Sequence, residues 1–144
     1  LERNDLGIFF CWGVRNGLAE KNACLDNRRY GVSIGHRDTD NRIIDNDIVG
    51  SGKAGVLFRP ERGKNFAPHR NLLAGNRIID SGGESGIGVD IQGEVESITL
   101  KGNEISETRQ AAKRIGIRIG PKTKDVKLVE NRISGFATEV LHAE

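Results

Sequence analysis

Three carboxylates, one imidazole and three guanidiniums in this sequence are of the types that do chemistry on polar polymers. Asp38, Glu61 and Asp90 could serve as acid and base on either side of a glycosidic bond. Arg59, Arg62 and Arg118 suit a different reaction. An arginine can bind a uronate or stabilise the enolate-like charge of a β-elimination while His, Arg or Lys removes the proton. His36 lies two residues before Asp38. On an extended chain the pair would share a side, and a histidine beside a carboxylate is a poised base. The alternative is an ordinary polar turn. Trp12, the only tryptophan, offers a flat ring that can stack on a sugar or close the end of a core. Arg59, Asp90, His36, Asp38 and Glu61 are therefore the candidate catalytic groups, and Arg118, Trp12, Arg62 and Gln92 the candidate substrate-binding groups. No cofactor is expected, with calcium the one alternative. Asp38 and Asp40 are the oxygen ligands a calcium ion would use, but their spacing follows no complete loop pattern.

These residues are placed by a repeat. Gly7-Ile8-Phe9-Phe10, Gly31-Val32-Ser33-Ile34, Gly55-Val56-Leu57-Phe58, Gly86-Ile87-Gly88-Val89 and Gly116-Ile117-Arg118-Ile119 each lead with glycine and alternate apolar and variable positions. That alternation is a short strand with one buried face. The glycines lie 24, 24, 31 and 30 residues apart, a solenoid period. Positions two and four after each glycine then face outward, giving Phe9, Cys11, Ser33, Leu57, Arg59, Asp90 and Arg118 a common surface. On this phasing Arg59 and Asp90 stand on adjacent coils, about 4.8 Å apart along the axis. They could equally form a surface ion pair worth about 0–1 kcal/mol. Phe9 and Leu57, both apolar on this face, point to a covered or ligand-facing patch.

A second landmark fixes the phase. Asn22, Asn46, Asn76, Asn103 and Asn131 each precede, by two residues, Cys24, Ile48, Ile78, Ile105 or Ile133. Short apolar segments precede these corners, such as Ser97–Leu100 and Val126–Val129. Asparagine tolerates a left-handed backbone, and its amide can bond its own turn and the turn stacked on it. Each coil thus reads as three strands, with a ladder of buried amides at one corner. A leucine-rich repeat also carries an asparagine at this period, but the short, glycine-rich segments between Asn and the next Gly leave no room for a helix.

With these Gly-led strands and Asn corners, residues 7 to 135 resemble the right-handed parallel β-helix of the pectate-lyase-like superfamily and its parallel β-helix repeats. The resemblance implies an all-β, single-stranded parallel β-helix of about five coils starting near Gly7, Gly31, Gly55, Gly86 and Gly116. Val140 opens a partial sixth, so residues 1–144 read as one segment of a longer helix. It also implies a polysaccharide groove on the first-strand face, lyase or hydrolase activity, and a secreted or periplasmic setting. A non-catalytic binding or structural solenoid is the rival class. Gly35-His36-Arg37 is similar to part of the Gly-His-Gly of polygalacturonases, and Arg118-Ile119-Gly120 to part of their Arg-Ile-Lys. Cys11 and Trp12 stand where their aspartates should be, so no known active site is carried over.

Composition agrees with this architecture. Glycine at 19 of 144 residues is nearly twice the usual share of about 7%, which signals frequent tight turns. Charge is balanced at 22 basic against 20 acidic residues, which argues against a nucleic-acid or membrane-surface module. No apolar run approaches the roughly 18 residues of a membrane span. Cys11 and Cys24 fall at different kinds of repeat position, so no disulfide framework is expected. Gly50-Ser51-Gly52-Lys53-Ala54-Gly55 matches a dinucleotide-binding pattern, but a strand follows it where a helix is needed, and it reads as a turn. The long connection from Arg59 to Arg70 is where a repeat fold places specificity. Strand edges bare of caps imply end-to-end self-association or coils supplied by a larger chain.

Overall fold

A computed structural model describes residues 1–110 and 112–144. The described chain is an all-β parallel solenoid of about five coils. Three parallel sheets run its length. The first contains β1 (Leu6–Phe9), β4 (Tyr30–Ile34), β7 (Ala54–Phe58), β10 (Ile87–Ile91), β13 (Ile115–Ile119) and β16 (Thr138–His142) in that order. The second stacks β2 (Leu18–Glu20), β5 (Arg42–Ile44), β8 (Leu72–Ala74), β11 (Glu96–Lys101) and β14 (Lys124–Val129). The third stacks β3 (Ala23–Leu25), β6 (Asp47–Val49), β9 (Arg77–Ile79), β12 (Glu104–Ser106) and β15 (Arg132–Ser134).

In-register pairing turns each inward position into a column of like side chains. Val32, Val56, Val89 and Ile117 form one column, and Ile34, Phe58, Ile91 and Ile119 another. Ile43, Leu73 and Leu100 line the second sheet, and Cys24, Ile48, Ile78 and Ile105 the third; all are fully buried or nearly so. The glycine opening each first strand is required by close approach. A Cβ on Gly55 would lie 2.7 Å from the Gly88 carbonyl oxygen, and one on Gly88 would lie 2.6 Å from that of Gly116.

Gly88, not Gly86, is therefore the glycine that matches Gly55. Val56 pairs with Val89, and Ile87 pairs with Ala54. The fourth strand is phased two residues later than the Gly86 copy suggests, because both glycines precede an apolar, variable, apolar triplet. The consequence for the outward row is direct: Asp90 sits between Leu57 and Arg118, not beside Arg59. Leu57, an outward position, is nevertheless only 6% exposed.

The Asn corner forms the expected ladder. The Nδ2 groups of Asn22, Asn46, Asn76 and Asn103 donate to the Oδ1 atoms of Asn46, Asn76, Asn103 and Asn131 in turn. The left-handed conformation falls one residue earlier than expected, on Lys21, Asp45, Gly75, Gly102 and Glu130. Asparagine is thus selected for its amide, and the sharp turn is left to its neighbour. Lys21 is exposed with φ of 53°. A left-handed residue with a side chain costs about 1–2 kcal/mol, partly offset by the unfolded-state entropy of glycine. Lys21→Gly is expected to raise unfolding free energy by about 0.5 kcal/mol, read as a higher urea midpoint at unchanged slope.

The sequence G-x-G-x-x-G leads into β7, so the turn reading holds. Both cysteines are free, and burial pushes the Cys24 thiol up. At the corners, a hydrogen bond from Arg70 holds Asp40 below its ordinary carboxyl value. Burial works against Asp80, but the Thr108 N–H at 2.7 Å and the Thr108 hydroxyl outweigh it and hold that carboxyl down. A depressed carboxyl contributes stability that is complete above its unfolded pKa of 3.8. That stability is lost as pH falls through the lower folded value. Urea midpoints are expected to fall as pH drops from about 4 toward 2, less steeply in Asp80→Asn.

Candidate functional site

β10 and β13 place Asp90 and Arg118 opposite each other on the outer face of the first sheet. The Arg118 guanidinium grips the carboxylate with two bonds, Nε to Oδ1 at 2.9 Å and Nη2 to Oδ2 at 2.6 Å. Gln92 Nε2 donates to the same Oδ2 at 2.6 Å. Asp90 is 4% exposed, so its charge is compensated by a fixed fork with little solvent. The bond to Asp90 raises the Arg118 pKa above its ordinary value, so this cation is permanent.

These three residues floor a depression of about 460 Å³ whose wall adds Tyr30 and Lys53. Tyr30 opens β4, and Lys53 lies in the turn before β7. A smaller hollow of about 240 Å³ shares Gln92 and Arg118 and extends to Pro60 and Pro121. The result is a trough along the first-strand face, with one cation fixed at its middle and a lysine and a phenol at one end. Asp90 is the only carboxylate lining either hollow among the described residues.

A second cluster lies farther along the same strands. Arg59 donates to Ser33 Oγ and to the Phe10 carbonyl, each at 2.8 Å, and its guanidinium lies 4.6 Å over the Phe9 ring. It also stands 3.5 Å from both Asp38 and Glu61. Glu61 Oε1 accepts the His36 N–H at 2.8 Å, and His36 Nδ1 is 3.9 Å from Oε2. The His36 ring contacts Trp12 at 4.6 Å and Phe66 at 5.4 Å between centroids. Arg62 covers Phe66 at 4.5 Å. Trp12 is 80% exposed, so its ring faces solvent rather than closing the core.

The structure thus divides the candidate residues into two groups. Asp90, Gln92 and Arg118 share the trough, while Arg59, Glu61, His36, Asp38, Trp12 and Arg62 share the aromatic cluster. Arg59 and Asp90 are not stacked partners. His36 and Asp38 do not share a side either, because β4 ends at Ile34 and the chain turns at Arg37 with φ of 61°. Asp38 turns inward and is fully buried, accepting the N–H groups of Gly13, Val14 and Gly35 at 3.1, 2.9 and 2.9 Å. Its carboxylate fixes the loop that presents Trp12. Asp38 and Asp40 are both engaged in this way, Asp40 by Arg70, and no group of three cation ligands converges among the described residues.

Tyr30, Lys53 and Phe66 are the site residues that sequence reasoning passed over. Tyr30 directly precedes a repeat glycine and Lys53 sits inside a turn motif. Neither residue type recurs at its position from coil to coil, and Phe66 lies in the long Arg59–Arg70 connection, whose length was the one signal available for it. Comparison with protein-family models, with curated proteins and with solved structures found no match, so the reading of this trough rests on its own side chains.

Proposed function

We propose that this chain is a carbohydrate-active β-solenoid that holds an acidic polysaccharide along its first-strand face and cleaves it by β-elimination. The observation that carries the reading is the fixed Asp90–Arg118–Gln92 constellation flooring a trough that also holds Lys53 and Tyr30. Arg118 is held by Asp90 through Nε and Nη2. Its remaining N–H donors are therefore the ones that meet the uronate carboxylate and the charge that develops when the neighbouring carbon loses its proton. Lys53, in no salt bridge among the described residues, adds positive charge. Tyr30 and Lys53 are the groups in reach that can take and return a proton. The electron pair left on carbon forms a carbon–carbon double bond, the glycosidic carbon–oxygen bond breaks, and the leaving oxygen is protonated. Hydrolysis is supported less well. It needs two carboxylates flanking the bond, and the trough supplies one, already committed to Arg118. The exposed Trp12 ring, with His36 and Phe66 behind it, serves as a flanking stacking platform.

The test is a panel of polyuronates and neutral glycans, assayed for ultraviolet absorbance of unsaturated ends and for reducing ends. Unsaturated products from a polyuronate support the reading. Reducing ends without unsaturation replace elimination with hydrolysis. Binding with no products makes the chain a polysaccharide-binding solenoid, and no binding to any glycan removes carbohydrate from the account. Because Trp12 is the sole tryptophan, quenching of its fluorescence reports occupancy of the platform directly. Trp12→Ala is expected to weaken binding about tenfold, measured by affinity electrophoresis on the responding glycan.

A further inference from the structure

Away from the trough, on the corner between the first and second sheets, is a cleft of about 550 Å³. Its wall carries Arg15, Arg37, Lys64 and Arg70 against a single carboxylate, Asp40. Three successive coils contribute the arginines: Arg15 precedes β2, Arg37 precedes β5, and Arg70 precedes β8. Two of the four cations are already compensated. Arg70 is forked onto Asp40 at 2.8 and 3.1 Å, and Lys64 Nζ meets Glu96 at 3.0 Å. Arg15 and Arg37 make no salt bridge among the described residues.

The cleft is also held in shape. The Arg37 guanidinium lies 4.6 Å over the Phe66 ring, and the Arg37 N–H donates to the Phe66 carbonyl at 2.8 Å. A ring face supports a guanidinium without using its N–H donors. His69 braces the opposite wall: Nδ1 accepts the Glu96 N–H at 3.0 Å, which leaves Nε2 as the donor to the Lys64 carbonyl at 2.6 Å. That bond pins the segment carrying Lys64 and Asn65. Arg15 is tied by a parallel bridge to Thr39. Two uncompensated guanidiniums lining one cleft from adjacent coils, that of Arg37 laid on an aromatic ring and that of Arg15 carried on a paired backbone, are an arrangement suited to a doubly charged oxyanion.

We infer that this corner cleft is a second binding site, specific for a phosphate or sulfate group, with Arg15 and Arg37 as the principal ligands and Lys64 and Arg70 as supporting charge. The group could be carried by the free ion or by a sulfated polymer, and the two sources are separable by experiment. The site is independent of elimination on the first-strand face. Its occupant bears a tetrahedral oxyanion, whereas the trough is matched to a planar carboxylate.

Binding is to be measured by calorimetric titration of the whole chain with inorganic phosphate, inorganic sulfate and a sulfated polysaccharide, at constant ionic strength. An unsulfated polyuronate is the comparison. The expected result is saturable binding of the inorganic ions in the native chain. It should be weakened about tenfold in Arg15→Gln and in Arg37→Gln. Asp40→Asn, which removes the one opposing charge and releases Arg70, is expected to tighten binding. A sulfated polysaccharide binding far more tightly than free sulfate, with the same response to Arg15→Gln, identifies the polymer as the source. Equal affinity for both identifies the isolated group. Absence of saturable binding to all three probes overturns the site, as does binding that Arg15→Gln and Arg37→Gln both leave unchanged. Arg15→Gln should leave any elimination activity intact, and Arg118→Gln should leave oxyanion binding intact, so failure of one reading is distinguishable from failure of the other.

Discussion

Asn76→Ala is expected to lower the unfolding free energy by about 3–5 kcal/mol. The Asn76 amide is 1% exposed and sits in the middle of the ladder. Its Oδ1 accepts from both the N–H and the Nδ2 of Asn46 at 3.0 Å. Its Nδ2 donates to Asn103 Oδ1 at 3.0 Å and to the Ile43 carbonyl at 2.9 Å. Truncation strands the buried Asn46 N–H and takes a bond from the Ile43 carbonyl. It also removes one bond each from Asn46 Nδ2 and Asn103 Oδ1, which keep the Ala19 carbonyl and the Asn76 N–H; each orphaned group costs about 1–3 kcal/mol. No water-accessible route replaces them, because the corner is closed by the coil above and the coil below. Asn22→Ala serves as the control. Asn22 only donates within the ladder, to Asn46 at 2.9 and 3.1 Å, and its Nδ2 otherwise reaches the Glu20 carbonyl. Its loss should cost under about 1 kcal/mol. Urea unfolding of the two variants checks the difference; equal midpoints would remove the ladder as a principal source of stability. In a solenoid each coil rests on its neighbours, so the central lesion is also expected to split unfolding into two steps.

Arg118→Gln is expected to reduce the elimination rate by about a hundredfold, the scale of losing one preorganised stabiliser of developing charge. The loss should fall mainly on kcat, since the guanidinium meets more charge in the transition state than in the ground state. Trp12→Ala should instead act on KM, because stacking at a distance holds substrate and transition state alike. Arg118→Gln also leaves the nearly buried Asp90 with Gln92 alone, which can destabilise the fold. Lys53→Ala removes that ambiguity: Lys53 is exposed, and its loss should cost rate without moving the melting temperature. Rates unchanged in both Arg118→Gln and Lys53→Ala would move the chemistry out of the trough.

The ladder and the trough differ in how far the sequence exposes them. Asn22, Asn46, Asn76, Asn103 and Asn131 announce their corner because the same amide is needed once per coil. A spacing that repeats can be read from one chain. The trough takes Tyr30, Lys53, Asp90 and Arg118 from different coils; Asp90 and Arg118 share one repeat position but differ in residue type, and Tyr30 and Lys53 stand at others. Nothing periodic marks them. The Gly86 copy shows where repetition itself misleads: Gly86 and Gly88 both begin an acceptable strand pattern. Only the requirement that a glycine face the Gly116 carbonyl at 2.6 Å selects the second.

His36 and Asp38 show the other limit. Alternation along a strand puts them on one side, but alternation holds only while the backbone stays extended. One left-handed residue, Arg37, sends His36 to the aromatic cluster and Asp38 into the interior. The sequence by itself determined the parallel coiled architecture, the three-strand coil, the apolar columns and the amide ladder, since each is a local pattern repeated along the axis. Tertiary structure alone decided that Asp90 belongs to Arg118 and Arg59 to Asp38 and Glu61. It also decided that Lys53 and Tyr30 meet the Asp90–Arg118 pair in one trough and that Arg15 and Arg37 line a separate cleft. Those pairings depend on stacking register and on turns of unequal length, and a shift of two residues in one strand changes every neighbour on its outer face.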